Sequence, residues 1–208
     1  LGMLKSCGME GDANKGQEVH AEIEKMGLLK ENIIVGTAVI DMYIKCGSLS
    51  KALHMFNKLQ PRDAIAWNAL IGGYAEHGYV DKALELFDDM QHKGISPNPV
   101  TFVFCLKACG SIGATHKGQE IHAEIERQEL LENDVVMGNA LVDMYSQCGL
   151  LSTALKVFES LSVQDVVSWT ALISGYAEHE HGDEALKFYE RMQHQGVLPN
   201  SETLICAL

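Results

Sequence analysis

The stretch Ala64-Ile65-Ala66-Trp67-Asn68-Ala69-Leu70-Ile71-Gly72-Gly73-Tyr74, running on to Gly78 and then through Val80-Asp81-Lys82-Ala83-Leu84-Glu85-Leu86-Phe87-Asp88-Asp89-Met90 to Gly94, decides the fold. Trp67, Leu70, Ile71 and Tyr74 stand at i, i+3, i+4 and i+7, the spacing of one apolar helix face. Val80, Ala83, Leu84, Leu86, Phe87 and Met90 repeat that spacing after Gly78, which marks the turn between two short helices. Pro97 blocks continuation beyond the second. Two such helices cannot cover their own apolar faces, so the unit has to stack on neighbours of the same kind.

Those neighbours lie on either side. Trp67-Asn68-Ala69-Leu70-Ile71 returns as Trp169-Thr170-Ala171-Leu172-Ile173, Ile40-Asp41-Met42-Tyr43 as Val142-Asp143-Met144-Tyr145, and Lys15–Glu24 as Lys117–Glu126, all at one common shift. That shift is longer than any single solenoid unit, so smaller units of differing length compose it. The register predicts a short unit over 33–63, a second kind over 64–98 and a longer one over 99–134. The short and second kinds recur over 135–165 and 166–200. Residues 1–32 form a partial long unit, and 201–208 open a further one. The expected fold is all-α: a right-handed α-solenoid of stacked helix-turn-helix repeats, continuous from 1 to 208, without linker or low-complexity segments.

Composition narrows the function. Lys+Arg 16 against Asp+Glu 28 gives a formal charge of −12, which opposes strong non-specific binding to nucleic acid. No run approaches the roughly 20 apolar residues of a membrane span, and Leu1-Gly2-Met3-Leu4-Lys5 has no signal-peptide layout; no membrane partner is expected. Four of the six cysteines recur in register, Cys7 with Cys109 and Cys46 with Cys148. They repeat because the unit repeats, which makes them buried thiols rather than a disulfide framework. His179-Glu180-His181 and the helix around His20 and His122 carry no H-E-x-x-H or other metal-ligand spacing. No enzyme activity, metal or cofactor is expected of this chain.

Val166-Val167-Ser168-Trp169-Thr170-Ala171-Leu172-Ile173-Ser174-Gly175-Tyr176, with Gly196-Val197-Leu198-Pro199-Asn200, resembles a standard unit of the pentatricopeptide repeat family. Asn139-Ala140-Leu141-Val142-Asp143-Met144-Tyr145 followed by Cys148-Gly149 resembles its short unit. Leu106-Lys107-Ala108-Cys109-Gly110 with Gly118-Gln119-Glu120-Ile121-His122 resembles its long one. The alternation identifies the chain as similar to the plant organellar class with standard, long and short repeats.

The resemblance implies recognition of single-stranded RNA, one base per repeat. The fifth and last residues of each unit are then the base-reading pair: Thr37 with Asp63, Asn68 with Asn98, Val103 with Asp134, Asn139 with Asp165, and Thr170 with Asn200. The second residues, Ile34, Ile65, Val100, Val136 and Val167, sandwich the bases. Lys45 is the phosphate contact, where the matching positions elsewhere hold Glu76, Ser111, Gln147 and Glu178. An ionised Asp only accepts hydrogen bonds and so suits the imino N–H of uracil and guanine; Asn also donates and suits cytosine and adenine. Val103 cannot hydrogen-bond. The implied core is 5′-G-Y-N-U-A-3′.

Family membership further implies a chloroplast or mitochondrial setting and a role in RNA editing or processing, with partner factors engaged through a C-terminal region beyond this chain. The family's zinc deaminase needs a C-x-x-C pair, which this sequence lacks. Terminal units cut short are expected to leave packing faces open to end-to-end self-association. Two alternatives compete. Asn, Asp and Thr at these positions also serve as ordinary helix N-caps and turn residues. A tetratricopeptide-like protein scaffold would use Trp67, Leu70, Tyr74, Ala83, Phe87 and Pro97, although Ile71 stands where that motif wants Gly and the unit length varies.

Overall fold

In a computed structural model, the described residues are 1–60, 62–131 and 134–206. The last two positions of the unit expected to open at 201 lie outside them. Two compact units, Leu1–Phe104 and Cys105–Leu208, are described in turn. Among the described residues the secondary structure is helical throughout: α1 Gly2–Glu10, α2 Ala13–Lys25, α3 Leu28–Glu31, α4 Ile33–Lys45, α5 Leu49–Lys58, α6 Ala64–Glu76, α7 Val80–His92, α8 Pro99–Ile112, α9 Thr115–Arg127, α10 Val135–Gln147, α11 Leu151–Ser160, α12 Val166–Glu178, α13 Gly182–His194 and α14 Ser201–Cys206.

In the first unit α4 packs on α1 and α6, and each of these pairs with the helix that follows it, so α1, α4 and α6 form a row backed by α2, α5 and α7. In the second unit α12 lies against α10 and α14, backed by α11 and α13. Helices in the row contact neighbours on several sides and are accordingly apolar over most of their surface: Ala66, Trp67, Leu70, Ile71 and Tyr74 of α6 are buried, as are Trp169, Ala171, Leu172, Ile173 and Tyr176 of α12. The backing helices bury one stripe each, for example Ala83, Leu86, Phe87 and Met90 of α7.

Trp67 is 1% exposed and meets Phe56 edge-on at 4.7 Å; Trp169, fully buried, meets Phe158 in the same way at 4.6 Å. Each indole therefore links one hairpin to the preceding one. Truncating a buried Trp to Ala costs about 3–5 kcal/mol. Close helix approach needs small residues. A Cβ on Gly36 would run into Leu59, and one on Gly138 into Leu161. A second internal link joins backing helix to row: His20 Nδ1 lies 2.9 Å from the Tyr43 hydroxyl, and His122 Nδ1 2.9 Å from that of Tyr145. Burial pushes both imidazoles below their ordinary value, against the opposing pull of Glu24 on His20 and of Glu126 on His122.

Candidate nucleic-acid interface

Each residue expected to end a repeat, Asp63, Asn98, Asp134, Asp165 and Asn200, stands at the start of the helix that follows it. A short side-chain acceptor is needed there, because the first backbone N–H groups of a helix have no partner within it. Asp63 Oδ1 accepts from the Ala66 N–H at 2.9 Å, Asp134 Oδ1 from that of Met137 at 3.1 Å, and Asp165 Oδ1 from those of Val167 and Ser168 at 3.0 and 2.9 Å. Asn98 Oδ1 accepts from the Thr101 N–H at 3.1 Å, and Asn200 Oδ1 from that of Thr203 at 2.8 Å. The capping role set against base reading at the sequence level is thus filled at all five positions.

Capping engages one oxygen and leaves the rest of each side chain available. Among the described residues Oδ2 of Asp63 and of Asp134 accepts no hydrogen bond, and Oδ2 of Asp165 accepts one only from Asn139 Nδ2, at 3.1 Å. In Asn98 and Asn200 the engaged atom is again Oδ1, and among the described residues Nδ2 donates no hydrogen bond. An Asp at this position therefore offers an acceptor, and an Asn offers a donor.

Of the four expected pairs that lie within one compact unit, three come together. Asn68 Nδ2 donates to Asn98 Oδ1 at 2.9 Å, and Asn139 Nδ2 to both oxygens of Asp165 at 3.0 and 3.1 Å. Thr170 reaches Asn200 through one intermediate hydroxyl, Thr203 Oγ1, which lies 2.7 Å from each. Thr37 and Asp63 make no hydrogen bond to each other. Val103 is half-buried and has no polar side-chain atom, and its expected partner Asp134 belongs to the other compact unit.

Ile34, Ile65, Val100, Val136 and Val167 are 62, 65, 52, 62 and 53% exposed. Five β-branched apolar side chains at one register position, each beside a capping residue, stand in water although the fold contains apolar space elsewhere.

Electrostatics are less favourable to a polyanion. Lys45 Nζ sits 2.7 Å from Asp41 Oδ2, one turn back on α4. The matching Gln147 donates to Asp143 at 2.9 Å. Burial raises the Asp143 carboxyl above its usual range; the Gln147 hydrogen bond and Lys107 pull it down, while Glu202 and Glu178 push it further up. Among the described residues no group of three or more His, Cys, Asp or Glu is placed to hold a metal. His179 of the H-E-H run directs Nε2 to the Ser146 carbonyl at 3.0 Å.

Thr101 and Thr203, which sequence reasoning passed over, lie inside the site. Each is the third residue of its unit and fully buried. The spacings Asn98-Pro99-Val100-Thr101 and Asn200-Ser201-Glu202-Thr203 are the available signal, since they are those of a reciprocal cap: the Asn98 N–H donates to Thr101 Oγ1 at 3.1 Å while the Thr101 N–H donates back.

Comparison with known proteins gives the family and the fold. A sequence model of the PPR repeat family matches residues 62–111 and 164–206, and one of the PPR repeat matches 37–60 and 139–165, together more than half of the chain. The chain belongs to the pentatricopeptide repeat family. A chloroplastic pentatricopeptide repeat-containing protein of Arabidopsis thaliana is 36% identical over 196 residues, 94% of this chain and 31% of the relative. A putative mitochondrial one from the same plant is 35% identical over 208 residues, all of this chain and 34% of the relative. The chain thus spans about a third of the length of these two PPR relatives. Among solved structures, the pentatricopeptide repeat protein PPR10 in complex with an 18-nucleotide psaJ RNA element aligns with a TM-score of 0.75 at 20% identity, over 98% of this chain and 30% of that one. At that identity the likeness establishes the shared all-α solenoid fold.

Proposed function

We propose that this PPR chain binds single-stranded RNA, one base per repeat, as the recognition part of an organellar RNA editing or processing factor. Each base lies between exposed apolar residues of successive units, Ile34, Ile65, Val100, Val136 and Val167, and its edge meets the fifth and last residues of one unit. Asp63, Asp134 and Asp165 receive an imino proton on the oxygen not engaged in capping. Asn98 and Asn200 donate from Nδ2 to the ring nitrogen acceptor of cytosine or adenine. Thr37 favours a purine and Asn68 a pyrimidine, Val103 contributes no hydrogen bond, Asn139 with Asp165 takes uracil, and Thr170 with Asn200 takes adenine. The site reads 5′-G-Y-N-U-A-3′.

What carries this reading is one recurring juxtaposition: an exposed β-branched side chain next to a capping Asp or Asn that keeps one polar atom free. A protein ligand does not require a free acceptor where the last residue is Asp and a free donor where it is Asn. Lys45, held by Asp41, is the single basic side chain for the backbone, so affinity is modest and its salt dependence is shallow. The chloroplastic and mitochondrial names of the relatives support an organellar setting. Any deaminase or processing chemistry belongs to other regions or partner factors.

The test is a titration of labelled RNA containing G-C-A-U-A against one with those positions scrambled, at low and then near-physiological salt, with Asn139→Thr alongside. Preference for the core, moving from uracil toward guanine at the fourth base in the variant, supports base reading. Equal binding of core and scrambled RNA at low salt refutes it.

A further inference from the structure

Thr101 and Thr203 are polar, yet neither has measurable exposure. The Thr101 hydroxyl donates to Asn68 Oδ1 and lies 3.2 Å from Asn98 Oδ1, while it accepts from the Asn98 N–H at 3.1 Å. Thr203 Oγ1 lies 2.7 Å from Thr170 Oγ1 and 2.7 Å from Asn200 Oδ1, and it accepts from the Asn200 N–H at 3.3 Å. In both places a hydroxyl from the third residue of one unit ties together the fifth and last residues of the unit before it.

The three units that end in Asp lack this tie. Their followers at the same position are Ala66 and Met137, with no hydroxyl, and Ser168, whose hydroxyl donates to the Asp165 carbonyl at 2.9 Å. The consequence is visible at Asn139. Its Oδ1 is buried with no hydrogen-bond partner, whereas the same atom of Asn68 accepts from Thr101.

Orientation of an amide matters here because its two ends have opposite hydrogen-bonding character. Turning Asn68 by half a rotation would set its Oδ1 against Asn98 Oδ1, acceptor against acceptor. Turning Asn98 would aim its NH2 at the Thr101 N–H, donor against donor. The Thr101 hydroxyl adds the donor that Asn68 Oδ1 needs and reaches Asn98 Oδ1 as well; without it Asn68 Oδ1 is buried with no partner, as Asn139 Oδ1 is, and the pair is held less firmly. We infer that Thr101 and Thr203 are positioning residues for base specificity: each locks the reading pair of the preceding unit so that Asn98 or Asn200 presents a donor and rejects keto bases. The inference rests on the RNA reading proposed above and adds a fourth position to each Asn-terminated recognition site.

Thr101→Val removes the hydroxyl at nearly constant shape, and Thr101→Ser restores it. Anisotropy titrations at low salt use RNAs that differ only at the second base, C or U, with a second set varying only the fourth, U or G. The unmodified chain favours C by roughly tenfold, the size of one mismatch. Thr101→Val brings that ratio to about two- to threefold by admitting U, leaves the fourth-base ratio intact, and Thr101→Ser recovers the original value. A Thr101→Val ratio equal to that of the unmodified chain, or equal weakening on C and U, overturns the inference. Thr203→Val is the second arm, insensitive to any loss of folding at Thr101: on RNAs that differ only at the fifth base, A or G, it lowers the adenine preference and leaves the second-base ratio intact, and an unchanged fifth-base ratio counts against the inference. Absence of any C-over-U preference in the unmodified chain overturns the RNA reading itself, a result distinct from failure in the variants alone.

Discussion

Glu180 adopts φ 65° at the turn after α12, where an L-residue is strained. The matching position one long period earlier is Gly78, with φ 79°. Both close their helix in the same way: the Gly78 N–H donates to the Ala75 carbonyl and that of Tyr79 to Tyr74, as the Glu180 N–H does to Ala177 and that of His181 to Tyr176. The chain therefore contains its own control. A side chain in the left-handed region costs about 1–2 kcal/mol, and a Gly loses about 0.5–1 kcal/mol more on folding through its freer unfolded state. Glu180→Gly should thus stabilise the hairpin by about 0.5–1 kcal/mol, or about 1–4 °C in midpoint for a chain of this size. Gly78→Glu should lower stability by a similar amount. Glu180→Gln, which changes charge and keeps the backbone problem, should leave it unchanged. Repeat arrays need not melt as one unit, so the assay pairs a urea midpoint with hydrogen exchange across α12 and α13. A lowered midpoint in Glu180→Gly, or a gain in Glu180→Gln equal to that in Glu180→Gly, refutes the backbone argument.

Gly36→Ala drives a methyl into Leu59 and should cost about 1–3 kcal/mol, read as a lower urea midpoint; an unchanged midpoint would mean that the α4–α5 contact yields freely. Burial holds His20 and His122 below the ordinary value of 6.5, so the unfolded chain binds protons that the folded one does not as pH drops past 6.5. Their stabilising contribution is whole above that pH and is lost below it; His20→Gln with His122→Gln should flatten the fall in urea midpoint between pH 7 and pH 5. Asp143 has the opposite sign, its carboxyl raised by burial: Asp143→Asn should stabilise at pH 7, with the gain vanishing once the native carboxyl is protonated in acid. Asp41→Asn releases Lys45 from its ion pair and should tighten RNA binding a few-fold at low salt, steepening the log–log salt slope by about 0.7 for one added phosphate contact on a single strand. A slope identical to that of the unmodified chain removes Lys45 from the backbone track.

The helices were legible because Trp67, Leu70, Ile71 and Tyr74 impose a 3.6-residue face and Gly78 and Gly94 end the helices, each in a left-handed conformation. Glu180 and Glu129 were not legible as turn residues, since the conformation is set by the Tyr176 and Ile125 carbonyls that the turn must satisfy, not by the residue itself. Within the candidate site, the exposed apolar positions and the Asn68–Asn98 and Asn139–Asp165 contacts were legible through the family resemblance, which singles out the second, fifth and last residues of each unit. The polar environment that completes them does not. Thr101 meets Asn68 across two helices, and the Lys45–Asp41 pair, although at i, i+4 spacing, competes with any phosphate in a way that a position-by-position transfer does not weigh.

On the proposed reading, one side chain serves both the helix cap and the RNA base, which constrains what each unit can become. A last residue must cap a helix with a short acceptor and still extend a second polar atom. Ser and Thr have a single oxygen for both tasks, Glu and Gln are too long to cap well, and apolar residues cap poorly at a cost of about 1 kcal/mol. Asp and Asn satisfy both demands and cap about equally. On the proposed reading, exchanging Asp165 for Asn therefore converts a keto-reading unit into an amino-reading one with little change in stability, whereas Asp165→Ala loses the bonds to Val167 and Ser168 together with the free oxygen. Measured side by side, Asp165→Asn should melt like the unmodified chain while moving the fourth-base preference from uracil to cytosine. Asp165→Ala should melt lower and discriminate neither. If Asp165→Asn were instead as unstable as Asp165→Ala, the carboxylate charge at the α12 N-terminus, not the shared acceptor, would be what the fold requires, and the base read by a unit could not change independently of its stability.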